Sequence, residues 1–185
     1  MTDNKNLVWM DLEMTGLHPE SDTILEIATL VTDSELRLVA EGPVIEIHHS
    51  REQLEAMDPW CVRHHGTSGL SQRCLESSVT LREAEERTLD FLRHHCAERR
   101  SPLCGNSIHQ DRRFLARYMP RLNDYLHYRI VDVSSVKELV ERWYPSEFKP
   151  LQKKKSHLAM EDIRESIEEL AEYRRCFFRQ PGQAR

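Results

Sequence analysis

Long apolar runs are missing from this chain of 185 residues. Its longest uncharged apolar stretch, Ile27–Val31, falls far short of the roughly 20 residues that cross a bilayer. With 6 Gly and 8 Pro, collagen and low-complexity disorder are excluded. The 5 Cys are scattered and odd in number, which builds no disulfide framework and suits a reducing compartment. An excess of basic charge is also missing. Lys and Arg total 26 against 31 Asp and Glu, a net charge of −5. Such a surface does not favour long nucleic acid, which is held by basic footprints and counterion release; a short anionic substrate in a local pocket stays open. The polar opening, Met1 to Asn6, has neither the apolar core of a secretion signal nor an Arg/Ser-rich presequence. A soluble, cytoplasmic domain is expected, with a processed mitochondrial form left open.

What is present has the size and balance of one globular domain, 39% hydrophobic and 31% charged, large enough to bury a core without staples. No internal repeat appears. The expected organisation is a flexible start over 1–6, a single domain over 7–178 and a loose tail over 179–185. Leu7–Glu13, Ile24–Thr32 and Leu36–His48 read as three strands, with turn chemistry at Asp33-Ser34, forming an antiparallel meander. Helices and short strands then alternate. Ser50-Arg-Glu-Gln53 and Thr80-Leu-Arg-Glu83 have capping-box spacing. The second opens a helix carrying Leu81, Ala84, Leu89, Leu92 and Cys96 at helical period. Leu103–Asn106 reads as a strand, Gln110–Tyr118 as a helix stopped by Met119-Pro120, and Tyr128–Val133 as a strand. Ser135 to Glu138 caps a further helix with Leu139, Val140 and Trp143. A last amphipathic helix puts Ile163, Ile167 and Leu170 on one stripe. This order predicts a mixed sheet flanked by helices, compatible with a ribonuclease-H-like α/β fold.

Four carboxylates stand where strands end or helices begin. Asp11 and Glu13, two apart on a strand, point to one face. Alone, such a pair is more often simply a strand end meeting water. Asp111 follows a short strand and opens a helix, where the macrodipole alone would favour an acid. Asp162 lies five residues after His157 at the start of the last helix. Brought together, four such groups would repel one another unless cations neutralised them. Hard oxygen ligands suit Mg²⁺ or Mn²⁺ rather than Zn²⁺. A pair of such ions about 3.5–4 Å apart stabilises both the entering and the leaving oxygen of a phosphoryl displacement.

Trp9-Met-Asp-Leu-Glu-Met-Thr-Gly16, Cys104 to Phe114, His127 to Ser134 and His157-Leu-Ala-Met-Glu-Asp162 resemble, in order, the motifs of the oligoribonucleases, a family of DEDDh 3′-to-5′ exonucleases with a ribonuclease-H-like fold. The resemblance runs from Leu7 to Phe178. It implies Asp11, Glu13, Asp111 and Asp162 as ligands of two divalent ions and His157 as the general base. It implies hydrolysis of short RNA, two to about five nucleotides and dinucleotides especially, to nucleoside 5′-monophosphates. It also implies Leu17 as a wedge between bases and Trp60 beside the 3′ nucleotide, although for Trp60 core packing is about as good a reading. A cap on the 5′ phosphate is implied from His65, Ser107, Arg129, Ser134 and Ser135, with Tyr128 supplied by the second subunit of a homodimer. A helix starting near Ser134–Ser135 would add backbone N–H donors there; simple capping explains Ser135 as well. The chain departs from the family at His109, where Gly is common, at Lys153 to Lys155, and at Glu161, where Asp is usual.

Two rival readings stand beside this one. One is a relative that trims longer RNA or DNA 3′ ends. The other is a zinc-stabilised interaction module built on Cys61, His64, His65, Cys74, His94, His95, Cys96 and Cys104. The second lacks any C-x₂-C pair or finger spacing, and Cys96 falls on an apolar helical stripe.

Overall fold

The computed structural model describes residues 5–148 and 158–178. Strands β1 (Leu7–Met14), β2 (Ile24–Thr32) and β3 (Leu38–Glu46) form the antiparallel meander. The strands β4 (Leu103–Gly105) and β5 (Ile130–Asp132) add in parallel on the other side of β1. The order β3-β2-β1-β4-β5 is the mixed five-stranded sheet expected from the order of elements. The third strand starts later than expected because Leu36 adopts a left-handed φ of 66°. That turn is held by Asp33, which accepts from the Glu35 and Arg37 amides.

Alternation along β1 assigns its side chains to two layers. Val8, Met10 and Leu12 join the larger core under α4 (Leu81–His95), α5 (His109–Tyr118) and α6 (Pro120–Tyr125), with Ala84, Leu89, Leu92, Phe114, Leu115 and Leu122. Trp9 points the other way, into the core shared with α7 (Val133–Trp143) and α8 (Ala159–Phe177). A third, smaller cluster packs α1 (Arg51–Glu55), α2 (Pro59–Thr67) and α3 (Leu70–Glu76) around Leu25. Because β2 is buried along its whole length, it separates these layers.

Both capping boxes form: Ser50 with Gln53 on α1, and Thr80 with Glu83 on α4. One expectation holds with an addition, and one fails locally. The Met119-Pro120 stop ends α5, but Pro120 then occupies the first turn of α6, where its missing N–H costs nothing. The helix α7 begins at Val133 rather than after Ser135, because Asp132 caps it by accepting from the Ser134 amide. A carboxylate at that position outcompetes a serine hydroxyl three residues later.

Of the expected loose start, Asn6 is buried and donates from Nδ2 to the His95 carbonyl. Residues 1–4 and the tail 179–185 lie outside the described residues. No described helix is long and apolar enough to cross a membrane. The cysteines are all free, and the four buried ones are spread over three separate cores: Cys96, Cys104, and Cys61 with Cys74. They therefore do not gather into the ligand set that a zinc module requires.

Candidate active site

Asp11 and Glu13 share the parity of Trp9, so both face the α8 side of the sheet. The short β4 decides how a third acid reaches them. It pairs with β1 only at Val8 and Trp9, which leaves the far half of that strand edge open. Asp111, in the first turn of α5 and buried, fills the gap by accepting from the Leu12 amide through Oδ1 at 2.9 Å. An unpaired buried N–H is costly, so this bond both closes the edge and fixes the carboxylate at the strand edge, on the amide of the residue that separates Asp11 from Glu13 in the chain. Asp162 arrives from the first turn of α8. Carboxylate oxygens of Asp11, Glu13 and Asp162 all lie within 4.8 Å of one another.

The start of α8 is held by a residue that the sequence reading passed over. Leu158, its N-cap, offers no side-chain cap, and Glu26 accepts a backbone hydrogen bond from Ala159 instead. Glu26 lies directly opposite Glu13 across β1 and β2. Like charges so placed repel, and Arg73 takes up one of them. Its guanidinium lies 3.2 Å from Glu26, 2.9 Å from Glu46, and donates to the Ser68 carbonyl. The signal was available: Glu26 is the one charge in Ile24–Thr32, and a buried charge needs a partner.

Electrostatics set the acid pocket apart. Burial pushes the Glu13 carboxyl up to about 8, with repulsion from Glu26, Asp162 and Asp111 added and Arg73 opposing. Burial pushes Asp111 up to about 7 against the pull of the Leu12 amide. Asp11 is held well above the ordinary carboxylate range, by burial first and then by Asp111, Glu13 and Asp162. Carboxyls so crowded resist ionisation in the bare chain, and a bound divalent cation reverses that preference. The donor set is all oxygen, so the residues fit a hard divalent ion. His157 lies outside the described residues.

The expected substrate-binding residues fall into two groups. Leu17 and Trp60, both about 60% exposed, line one cavity of about 710 Å³ together with Glu13 and His65. Trp60 is thus not a core residue; its indole stacks on the His64 ring at 4.5 Å. The loop carrying Leu17 is tied by Asp22, which accepts from the His18 amide and the Thr15 hydroxyl. Any Cβ at Gly16 would come within 2.5 Å of that carboxylate, so the tie requires glycine.

The other group lies beyond the ends of β4 and β5. Ser107 has a left-handed φ of 50°. Its amide donates to Asp132 Oδ1 and Ser134 Oγ, and the two serine hydroxyls are 3.2 Å apart. Asn106 accepts from Ser134 and donates to Ser166 and Glu169 on α8. Asp132 thus consumes the Ser107 and Ser134 amides, which are not left for an anion. Ser135 is exposed on α7. Arg129 lies over the Tyr128 ring at 5.3 Å, and Tyr128 is 74% exposed. His65, expected with this group, stands instead at the acid end, with Nε2 2.9 Å from the Met14 carbonyl. His109 faces Asp132 at 3.3 Å. Asn106 and Asp132 were missed because their roles are local hydrogen bonds with no periodic signature.

Comparison with known proteins agrees with this geometry. The family model described as Exonuclease, RNase_T, matches residues 8–170. An exonuclease I from Methylocaldum szegediense superposes with a TM-score of 0.71 at 18% identity, covering 96% of this chain and 41% of that one. The zinc-bound E. coli exonuclease I in complex with single-stranded DNA gives 0.75 at 17%, covering 95% and 41%. These establish the ribonuclease-H-like fold. The oligoribonuclease of Marinobacter nauticus is 55% identical over 179 residues, 97% of this chain and 99% of the relative. That of Pseudomonas aeruginosa PAO1 is 56% identical over the same shares. Fold and relatives define a hydrolase of the 3′-to-5′ exoribonuclease class. The chain belongs to the oligoribonuclease family.

Proposed function

We propose that the chain removes nucleotides from the 3′ end of RNAs of two to about five residues, dinucleotides above all, releasing nucleoside 5′-monophosphates. The observation that carries this reading is the shared cavity in which Leu17, Trp60 and Glu13 meet. A base gripped between Leu17 and Trp60 leaves its phosphate beside the acids. Stacking on an aromatic face contributes roughly 1–3 kcal/mol per base and tolerates any sequence.

In this reading Asp11, Glu13, Asp111 and Asp162 hold two divalent ions, Mg²⁺ or Mn²⁺. When bound, such ions polarise the phosphate, lower the pKa of water and stabilise the leaving oxygen. Asp111 is anchored on the Leu12 amide, and Glu26 anchors the helix that carries Asp162, so both carboxylates are positioned before substrate arrives. His157 accepts the proton of the attacking water; a positioned base is worth about 10²–10⁴ in rate. The terminal phosphate is met by the hydroxyls of Ser107, Ser134 and Ser135 and by Arg129, whose planar fork matches a phosphate. Tyr128, exposed beside Arg129, joins them from a second copy of the chain, which makes a homodimer the working form. The acidic net charge and the compact site favour short substrates over the trimming of long ends. Five free thiols fit the cytoplasm.

A product time course on 5′-labelled RNAs of two to seven residues, with and without divalent cation, tests the reading. Fastest turnover is expected on the dinucleotide, with none under a chelator. Equal rates on two-mers and seven-mers would remove the length preference, and chelator-resistant hydrolysis would remove the metal ions. Sedimentation of the purified chain tests the dimer.

A further inference from the structure

One guanidinium ties together the two walls of the active site. Register places Glu13 opposite Glu26, and Glu26 opposite Glu46, so three carboxylates form one row across β1, β2 and β3. Like charges directly opposite one another are destabilising, and such a row needs a cation set against it. Arg73, on α3, takes up two of the three and leaves Glu13 to the site.

The donors of Arg73 run in three directions. Nε donates to Glu46 at 2.9 Å, Nη2 to Glu26 at 3.2 Å and Nη1 to the Ser68 carbonyl at 3.1 Å. Each acceptor belongs to a different part of the fold. Ser68 is the C-cap of α2, the helix that brings Trp60, Cys61 and His65 to the cavity shared with Leu17. Glu26 accepts from the Ala159 amide and so holds the start of α8, whose first turn carries Asp162. Glu46 closes β3 and gives the fork a third fixed point. Gly69 makes the turn from α2 into α3 with a left-handed φ of 76°, a conformation that glycine adopts at no steric cost, and this returns Arg73 to Ser68. Arg73 is not among the described residues that line the cavity, so it acts through α2 and Glu26.

We propose that Arg73 is a positioning residue that sets α2 and α8 relative to each other, and with them the spacing between the 3′ base grip and the Asp162 carboxylate. This inference rests on the roles proposed above for Trp60 and Asp162. A triangle of acceptors is what a guanidinium can hold and an ammonium cannot: the arginine donors are spread over a rigid planar fork, whereas those of lysine radiate from one atom. A misplacement of about 1 Å caused far from the chemistry can cost on the order of 10²-fold in rate. A residue that controls this spacing is therefore felt in turnover without touching substrate.

The test uses the purified full-length chain well below its Tm. Turnover of a dinucleotide is followed at saturating Mg²⁺, and binding of a fluorescently labelled dinucleotide is followed with a chelator and no added metal. Arg73→Lys keeps the charge and loses the fork, so kcat should fall about 10–100-fold and the metal-free Kd should rise severalfold. Glu26→Ala frees α8 alone, so kcat should fall by a similar factor while the metal-free Kd stays unchanged. In the double variant kcat should be no lower than in the slower single variant, because both changes cut one link. Should Arg73→Lys not fold, Glu46→Ala, which frees the third point of the fork on a partly exposed side chain, should move kcat and Kd in the same directions. A merely structural role would lower Tm and leave kcat, KM and the metal-free Kd in place; that result would overturn the proposal. Losses in kcat that multiply in the double variant would also overturn it, since two independent links would then be at work. A parent chain that binds the dinucleotide but cleaves no RNA would overturn the exonuclease reading instead. Weaker metal-free binding by Arg73→Lys would then still support its hold on α2, and unchanged binding would remove that as well.

Discussion

The acid pocket and the serine cluster lie at the ends of neighbouring strands of one sheet, yet they satisfy their polar atoms in opposite ways. Around Ser107 the groups partner one another: the Ser107 and Ser134 amides go to Asp132, the hydroxyls meet, and Asn106 ties them to α8. Around Glu13 three carboxylates converge, and burial and the repulsion of neighbouring acids raise the pKa values of Asp11 and Glu13. One region is complete as folded; the other is the one to which the proposed function assigns the cations. Catalysis is therefore expected to depend steeply on the acids, and substrate selection only moderately on the serines.

The sharpest contrast comes from Asp162→Asn, which keeps the shape of the side chain and removes its charge. Metal-assisted charge stabilisation is worth several kcal/mol, so kcat should fall about 10³-fold. A variant within tenfold of the parent would erase the distinction drawn here. Ser107→Ala and Arg129→Ala remove one hydrogen bond to a charged group, worth about 1.5–3 kcal/mol. Their cost should be roughly 10–100-fold in kcat/KM on a 5′-phosphorylated dinucleotide and small on one lacking that phosphate. Equal losses on both substrates would move the phosphate contact elsewhere.

The comparison also has a pH signature. Glu13 and Asp111 have folded-state pKa values near 8 and 7, above their unfolded values. The folded chain therefore holds those protons more tightly. The resulting stability is complete below about pH 4 and is lost as pH rises through 7 to 8. Without metal, Tm should drop between pH 5.5 and 8.5. Mg²⁺ should shrink that drop, and Asp11→Asn, which removes one repelling charge, should shrink it without metal. A metal-free Tm that is flat over this range would contradict the crowding. The smallest effect belongs to Asp132→Ala. Loss of the α7 cap costs about 1 kcal/mol, read as a lower denaturation midpoint with little change in kcat on unphosphorylated RNA.

Legibility in the sequence followed the range of each signal. The capping boxes at Ser50 and Thr80, the alternation of β1 and the stripe of α8 are local, and each was readable within a few residues. Asp132 as the cap of α7 was not, because serines two and three positions later compete for the same role on paper. Trp60 was equally balanced between core and surface, and only the packing of α2 into the core through Cys61 rather than through Trp60 leaves the indole outside, stacked on His64. Glu26 had a readable signal, a charge inside a buried strand, but its partner Arg73 lies 47 residues away.

The sequence by itself determined the sheet-and-helix order and the family, and it singled out the acids proposed for the site, because strand alternation, caps and motif spacing are written in neighbouring residues. The tertiary structure alone decided that a short β4 leaves an edge amide for Asp111, that Glu26 holds the helix of Asp162, and that His65 turns toward Glu13 rather than Ser107. Those outcomes depend on which elements become neighbours through space. Distances between residues remote in sequence are set by packing, and no local pattern encodes them.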